Sequence, residues 1–152
     1  MAPDRKTLIG KVFEPVTYTI REEDIRDYLP VAGEDDRAFH SEAESRAAGY
    51  GGWVIPPSFG PYVAVISMLR SFDWQKDFFM DYKKDTAMFG EQELEYQRPL
   101  YVGETLTVQG RVSDVYEKQG KRAFDVIWVS FAARDESGAT AFSGAQSYLV
   151  FK

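Results

Sequence analysis

The 152-residue chain reads as an α+β protein in which an antiparallel sheet wraps around one long apolar helix. Three observations predict it. Helical periodicity is confined to the first half and period-two alternation dominates the second. Between them lies the longest apolar stretch, where Phe59, Tyr62, Val63, Ile66 and Leu69 recur at helical spacing. With Ala64, Val65 and Met68 also apolar, this helix is hydrophobic nearly all round and is expected to be the buried central one.

Taken in order, a short polar start leads into Lys11 to Ile20, where Val12, Val16, Tyr18 and Ile20 favour a strand. Pro15 cannot donate to a ladder, which places that strand at an edge. Arg21 to Leu29 sets Ile25, Tyr28 and Leu29 on one helical face, and Pro30 is expected to stop the helix. Gly33 to His40 is a polar loop carrying Glu34, Asp35 and Asp36 in succession. Ser41 and Glu44 then form a Ser-x-x-Glu capping box, predicting a short helix from about Glu42 to Ala48 closed by Gly49. His40 therefore sits immediately before a helix N-terminus.

Gly51 to Pro57 is a turn-rich approach to the central helix. From Ser71 to Gly90 the periodicity is lost among Phe72, Trp74, Phe78, Phe79, Met80 and Tyr82, mixed with Asp and Lys. This segment reads either as a surface stretch whose aromatics pack on the core or as an irregular cover over a pocket. Next, Glu91, Glu93 and Glu95 alternate with Gln92, Leu94 and Tyr96, a half-exposed strand. Leu106, Val108, Gly110 and Val112 share a face of the next, and Glu117 to Gly120 turns. Ala123 to Phe131 is apolar on both faces and therefore central, Asp135 to Gly138 turns again, and Phe142 to Phe151 is the final strand. The last four strands are expected to form a meander. A sheet curled around one helix is the hot-dog architecture, and residues 1–152 are expected to form one such domain. Its open sheet edge calls for a partner, so a dimer is expected.

Composition narrows the chemistry. With no cysteine, the chain has no disulfide, thiolate metal site or cysteine nucleophile. The single histidine, His40, excludes a zinc site built mainly from imidazoles, so acid–base work falls to carboxylates, Tyr, Lys or His40. A net charge of −6 with no basic stripe argues against binding duplex nucleic acid. No apolar run reaches bilayer length and the start leads into no signal-peptide core, so no membrane association and a cytoplasmic location are expected. Glu34, Asp35, Asp36 and His40 have no established metal-ligand spacing, and no metal is expected.

Four stretches carry a resemblance that covers most of the chain. They are Gly10-Lys11-Val12-Phe13; Tyr28 followed by Gly33-Glu34-Asp35-Asp36; Ala47 to Gly52 running into Ile55-Pro56-Pro57-Ser58-Phe59; and Gln92 to Leu100 followed by Gly103-Glu104-Thr105-Leu106. In order and spacing they resemble the MaoC-like dehydratases, a hot-dog family, and in particular the N-terminal half or accessory subunit of (R)-3-hydroxyacyl dehydratases. The resemblance implies reversible addition of water across a trans-2-enoyl thioester carried on coenzyme A or acyl carrier protein, with no cofactor. In active members a Gly-Asp-x-Asn-Pro-x-His loop supplies an Asp and a His that activate water, while backbone N–H groups at the start of the central helix hold the thioester oxygen.

An ungapped match through Gly33 puts Glu34 and Phe39 at the Asp and His positions; sliding by one residue pairs Asp35 with His40. Asp35 and His40 are thus the candidate dyad. Pro56 and Pro57 have no N–H to give, which leaves Ser58 and Phe59 as candidate substrate-binding donors. Lys83, Lys84, Arg98, Lys118, Lys121 and Arg122 could form a basic rim for the anionic carrier. Three functions follow: an (R)-specific hydratase or dehydratase, alone or as one subunit of a dimer; a non-catalytic acyl-binding subunit beside a catalytic MaoC-like partner; and a hot-dog thioesterase.

Overall fold

In the computed structural model, which describes residues 3–152, five strands form one antiparallel sheet in the order β1-β3-β4-β5-β2. The elements are β1 (Val16–Thr19), α1 (Glu22–Ala32), α2 (Glu42–Ala47), α3 (Gly60–Ser71), α4 (Trp74–Phe78), β2 (Thr86–Tyr96), β3 (Thr105–Gln119), β4 (Ala123–Arg134) and β5 (Thr140–Phe151). Met1 and Ala2, part of the polar start, lie outside the described residues. Among those described, no helix is long and apolar enough to cross a membrane.

The α+β hot-dog expectation holds: the sheet curls around α3. Leu106, Val108, Gly110 and Val112 on β3 face it and are buried, while Thr107, Gln109 and Arg111 point away. Gly110 lets the helix come close, because a Cβ there would lie 2.6 Å from the Met68 sulfur. A register shift between Val112 and Asp114 resets the alternation so that Val115 is buried too. β4 is the middle strand, as its two apolar faces predict.

Several elements differ from expectation. The last four strands are not a meander: β3, β4 and β5 are, but β2 crosses to the far edge and pairs with β5, Leu94 opposite Gly144. Any Cβ on Gly144 would lie 2.1 Å from the Glu93 carbonyl oxygen, so glycine is what permits that contact. The first strand is an isolated bridge at Val12 plus β1, separated by the residues around Pro15, and it does lie at an edge. Pro30 does not stop α1. In the last turn its missing N–H removes one helical bond, and the helix ends instead at Gly33, whose φ of +67° closes it with bonds to the Leu29 and Pro30 carbonyls.

α3 is apolar nearly all round but is enclosed on one side only. Val63, Ala64, Ser67 and Met68 are buried, whereas Tyr62 and Leu69 are 51% and 42% exposed. The segment from Ser71 onward packs on the core: Phe72, Trp74 and Phe78 stack edge-on or tilted with one another and with Phe13 or Tyr148 at centroid distances of 4.6–6.2 Å. It contains α4, N-capped by Asp73, and β2 begins at Thr86 rather than Glu91. Arg5 anchors this region, donating to the Phe78 and Phe79 carbonyls and to Asp85 and Asp125 while only 6% exposed.

Candidate active site

The candidate loop follows the left-handed Gly33. Glu34 accepts from the Asp36 N–H at 3.1 Å, and Asp36 caps a 3-10 turn over Arg37–Phe39 by accepting from Ala38 N–H at 3.0 Å. Asp35 is left exposed with no hydrogen bond to a described residue. His40 ends the turn, and its Nε2 is buried without a partner. No hydrogen bond joins the two. Among the described residues no group of three or more His, Asp or Glu could hold a metal ion.

After His40, α2 starts as predicted at Ser41, whose Oγ accepts from Glu44 N–H at 3.1 Å. The capping box is half made, because the Glu44 carboxylate turns to Arg37 instead, at 2.5 and 3.0 Å. From α2, the buried Ser45 hydroxyl donates to Ala38 O at 2.5 Å and accepts from Val54 N–H at 3.1 Å. Trp53 Nε1 donates to Phe39 O at 2.8 Å. These bonds fasten the loop to the strand-like stretch 53–55, which in turn pairs with 100–102 through Ile55 N–H to Leu100 O and Val102 N–H to Trp53 O.

Between these layers is a cavity of about 340 Å³ walled by Phe39, Tyr50, Val54, Ile55, Tyr96 and Leu100. Its lining is mostly apolar, suited to a hydrocarbon chain. Arg98 lies at its wall but is engaged with Glu104 at 2.6 Å and Asp135 at 3.1 Å, so its charge is already countered. Of the other candidate rim cations, Lys84 faces Asp81 at 3.8 Å and Arg122 donates to the Lys152 carbonyl.

The start of α3 adjoins this cavity. Ser58 is exposed and its Oγ accepts from the Tyr28 hydroxyl at 2.7 Å; Phe59 is buried against the rings of Tyr28 and Tyr62. Phe59 N–H bonds Pro56 O and Gly60 N–H bonds Pro57 O. Pro56, Pro57 and Pro61 have none to offer. Tyr96 crowds the helix start: its hydroxyl donates to the Pro57 carbonyl, and it lies so near Gly60 that a Cβ there would be 1.8 Å from it, while the exposed Ser58 keeps its N–H free. Burial pushes the Tyr96 hydroxyl up to about 12, outweighing the pull of the Gly60 N–H toward the phenolate.

The sequence brought forward Ser58 and Phe59 but not Tyr28, Gly60 or Tyr96. Alternation in β2 already put Tyr96 on the inner face with Gln92 and Leu94; what was hidden was the strand's register against α3. Asp35 and His40 come from one loop yet stand apart chemically, one in solvent and the other with a nitrogen enclosed.

Residues 7–143 match the family model described as the FAS1-like dehydratase domain region. A UPF0336 protein of Tropheryma whipplei (strain Twist) is 26% identical over 87 residues, 57% of this chain, and the match spans 59% of that protein's length. Among solved structures, the C-terminally truncated HadBC (3R-hydroxyacyl-ACP dehydratase) complex of Mycobacterium tuberculosis superposes with a TM-score of 0.74 at 17% identity, covering 98% of this chain and 99% of that one. The ChsH1–ChsH2 complex of the same organism gives 0.73 at 18% identity over 95% and 85%. The (R)-hydratase from A. caviae involved in PHA biosynthesis gives 0.67 at 11% identity over 92% and 94%. At these identities the likeness is one of fold.

Proposed function

Because the chain belongs to the FAS1-like dehydratase family, we propose that it is the acyl-binding, non-catalytic subunit of an (R)-specific enoyl-thioester hydratase or 3-hydroxyacyl-thioester dehydratase. The observation that carries this reading is the closed start of α3. Hydration of a trans-2-enoyl thioester needs a base to take a proton from water, an acid to protonate the α carbon, and N–H donors for the enolate-like oxygen. Three prolines, the engaged N–H groups of Phe59 and Gly60 and the Tyr96 hydroxyl leave the Ser58 N–H alone at this helix end for that oxygen, one donor where the enolate needs more. The neighbouring apolar cavity holds the acyl tail, and a catalytic MaoC-like partner subunit supplies the dyad. Two of the similar structures are themselves two-component complexes.

The purified chain alone should show no hydration of crotonyl-CoA or crotonyl-ACP, co-expression with a catalytic MaoC-like subunit should yield active complex, and neither sample should release free thiol. Full turnover by the chain alone would overturn the reading. One observation favours a second reading, in which Asp35 and His40 act here: His40 Nε2 is a buried polar atom left without a hydrogen-bond partner. His40→Ala separates the two. In the accessory role the complex keeps its kcat; as part of a dyad it loses at least 100-fold, in the usual range for removing a general base (~10²–10⁴).

A further inference from the structure

The strand register gathers apolar side chains on the outer face of the sheet at one end. β5 sets Phe151 opposite Phe124 and Leu149 opposite Val126, and β3 sets Tyr116 opposite Val126 and Lys118 opposite Phe124. All point away from α3, on the face opposite to the buried Ile127, Tyr148 and Val150. Phe124 and Phe151 pack ring on ring at 4.8 Å, Trp128 Nε1 donates to the Tyr116 hydroxyl, and Met88, opposite Leu149, is 54% exposed. A solvated sheet face ordinarily turns polar side chains outward. This one carries aromatic rings that are left half-buried.

Cations collect around the same end. Lys118 and Lys121 flank the β3–β4 turn, Lys83 lies just before β2, whose Thr86 stands opposite Phe151, and Lys6 follows Arg5, which reaches Asp85 and Asp125. These four lysines are exposed and make no ion pair with a described residue. Their neighbours are matched: Lys84 by Asp81, Lys152 by Glu117 and Asp125, Arg122 by the Lys152 carbonyl, and Asp4 by the Lys6 N–H. Exposed acids without an ion pair begin level with Trp128, at Asp114 and Glu91, and β2 continues them with Glu93 and Glu95 toward the cavity. From Thr86 to Tyr96 at the cavity wall is about 30 Å, several times the screening length of about 8 Å at physiological salt, so the net charge of −6 does not cancel this end.

We propose that this corner seats the protein on an anionic lipid surface, with the aromatic patch at headgroup level and Lys6, Lys83, Lys118 and Lys121 against the lipid phosphates. The expectation of no membrane association rested on the lack of an apolar span, which contact at the interface does not require. Tyr116 and Trp128, with Tyr82 beside Lys83 at 59% exposure, pair an apolar ring with a polar tip, the kind of side chain that settles at a membrane boundary. The unmatched cations are all lysines, which protein interfaces deplete, so a broad anionic surface fits them better than an acidic protein. The acyl cavity, at the other end of the sheet, stays open to water, and the proposal is independent of the catalytic role.

Sucrose-loaded vesicles of mixed phosphatidylglycerol and phosphatidylcholine, in about 0.1 M salt, should carry the chain down on centrifugation, and vesicles of phosphatidylcholine alone should not. Lys118→Gln/Lys121→Gln and Lys6→Gln/Lys83→Gln, far apart in sequence and exposed, should each weaken that binding at least ~10-fold, at about fivefold per lysine. Both pairs should leave thermal unfolding unchanged. Bromine atoms placed high on the acyl chains should quench the tryptophan fluorescence of bound wild type but not of bound Trp128→Phe, which keeps Trp53 and Trp74. No binding to anionic vesicles, equal binding to neutral ones, full affinity in either lysine pair, or the same quenching without Trp128 overturns the proposal. Retention on immobilised polyglutamate without vesicle binding would mark the corner as a docking site for an acidic protein and overturn it equally.

Discussion

Two residues whose environments leave no room for substitution show what single side chains contribute. Arg5 holds two carboxylates and two carbonyls at once, with Asp85 and Asp125 only 11% and 10% exposed. Removing the guanidinium leaves Asp85 enclosed without a counter-charge and Asp125 with Lys152 alone, so Arg5→Met should cost about 3–5 kcal/mol by urea denaturation. Arg5→Lys should recover only part of it, because an ammonium cannot reproduce the planar fork. At Gly60 the constraint is space. Gly60→Ala must displace the Tyr96 hydroxyl and should cost roughly 1–3 kcal/mol. The penalty should fall by more than half in a Tyr96→Ala background, a non-additivity that a double-mutant cycle measures directly. Equal costs in both backgrounds would mean that Tyr96 is not what closes the helix start.

Elements built from local rules were legible in the sequence, and elements fixed by distant partners were not. The alternation on β3, the turn at Asp135 and the Ser41 cap follow from neighbours within a few residues, and they form as read. The end of α1 beyond Pro30 depends on Gly33 taking a positive φ, which a proline rule alone does not weigh. The placement of β2 beside β5 depends on a register some 50 residues apart, set by Gly144 and by inner-face contacts invisible in a linear reading. For the same reason the loop of the candidate dyad was legible while the Tyr96 contact was not. Ser45 illustrates how such a loop is held: its hydroxyl links Ala38 to Val54 across two elements. Ser45→Ala leaves a carbonyl and a buried N–H unsatisfied, at about 1–3 kcal/mol. Hydrogen exchange at the Val54 amide should quicken accordingly, with amides in β4 quickening only as far as global stability falls.

For the molecule as a whole, acids and phenols set opposite limits to stability. On the acid side, hydrogen bonds from Ser137 and Arg98 hold Asp135 down at about 2, below its ordinary 3.8. At Asp77 burial works against ionisation, but the Asp73 N–H and Lys11 outweigh it and lower the pKa; Lys152 lowers Glu117. A carboxylate held low stabilises the fold fully above its unfolded pKa and loses that contribution as the pH falls through the folded value. Stability should therefore decline from about pH 4 toward pH 2, and Asp135→Asn should make that decline shallower. On the alkaline side the sign reverses. Burial raises Tyr18 and Tyr96 to about 12 and Tyr148 further, so each contributes fully below its unfolded pKa of 10 and loses that contribution through the folded value. These three should remain protonated beyond the ordinary tyrosine value of about 10. Phenolate absorbance from these three should then appear only together with loss of tertiary structure by near-ultraviolet circular dichroism. A single step near pH 10 in the folded protein would show that Tyr96 is open to solvent, and with it the start of α3 on which the accessory role depends.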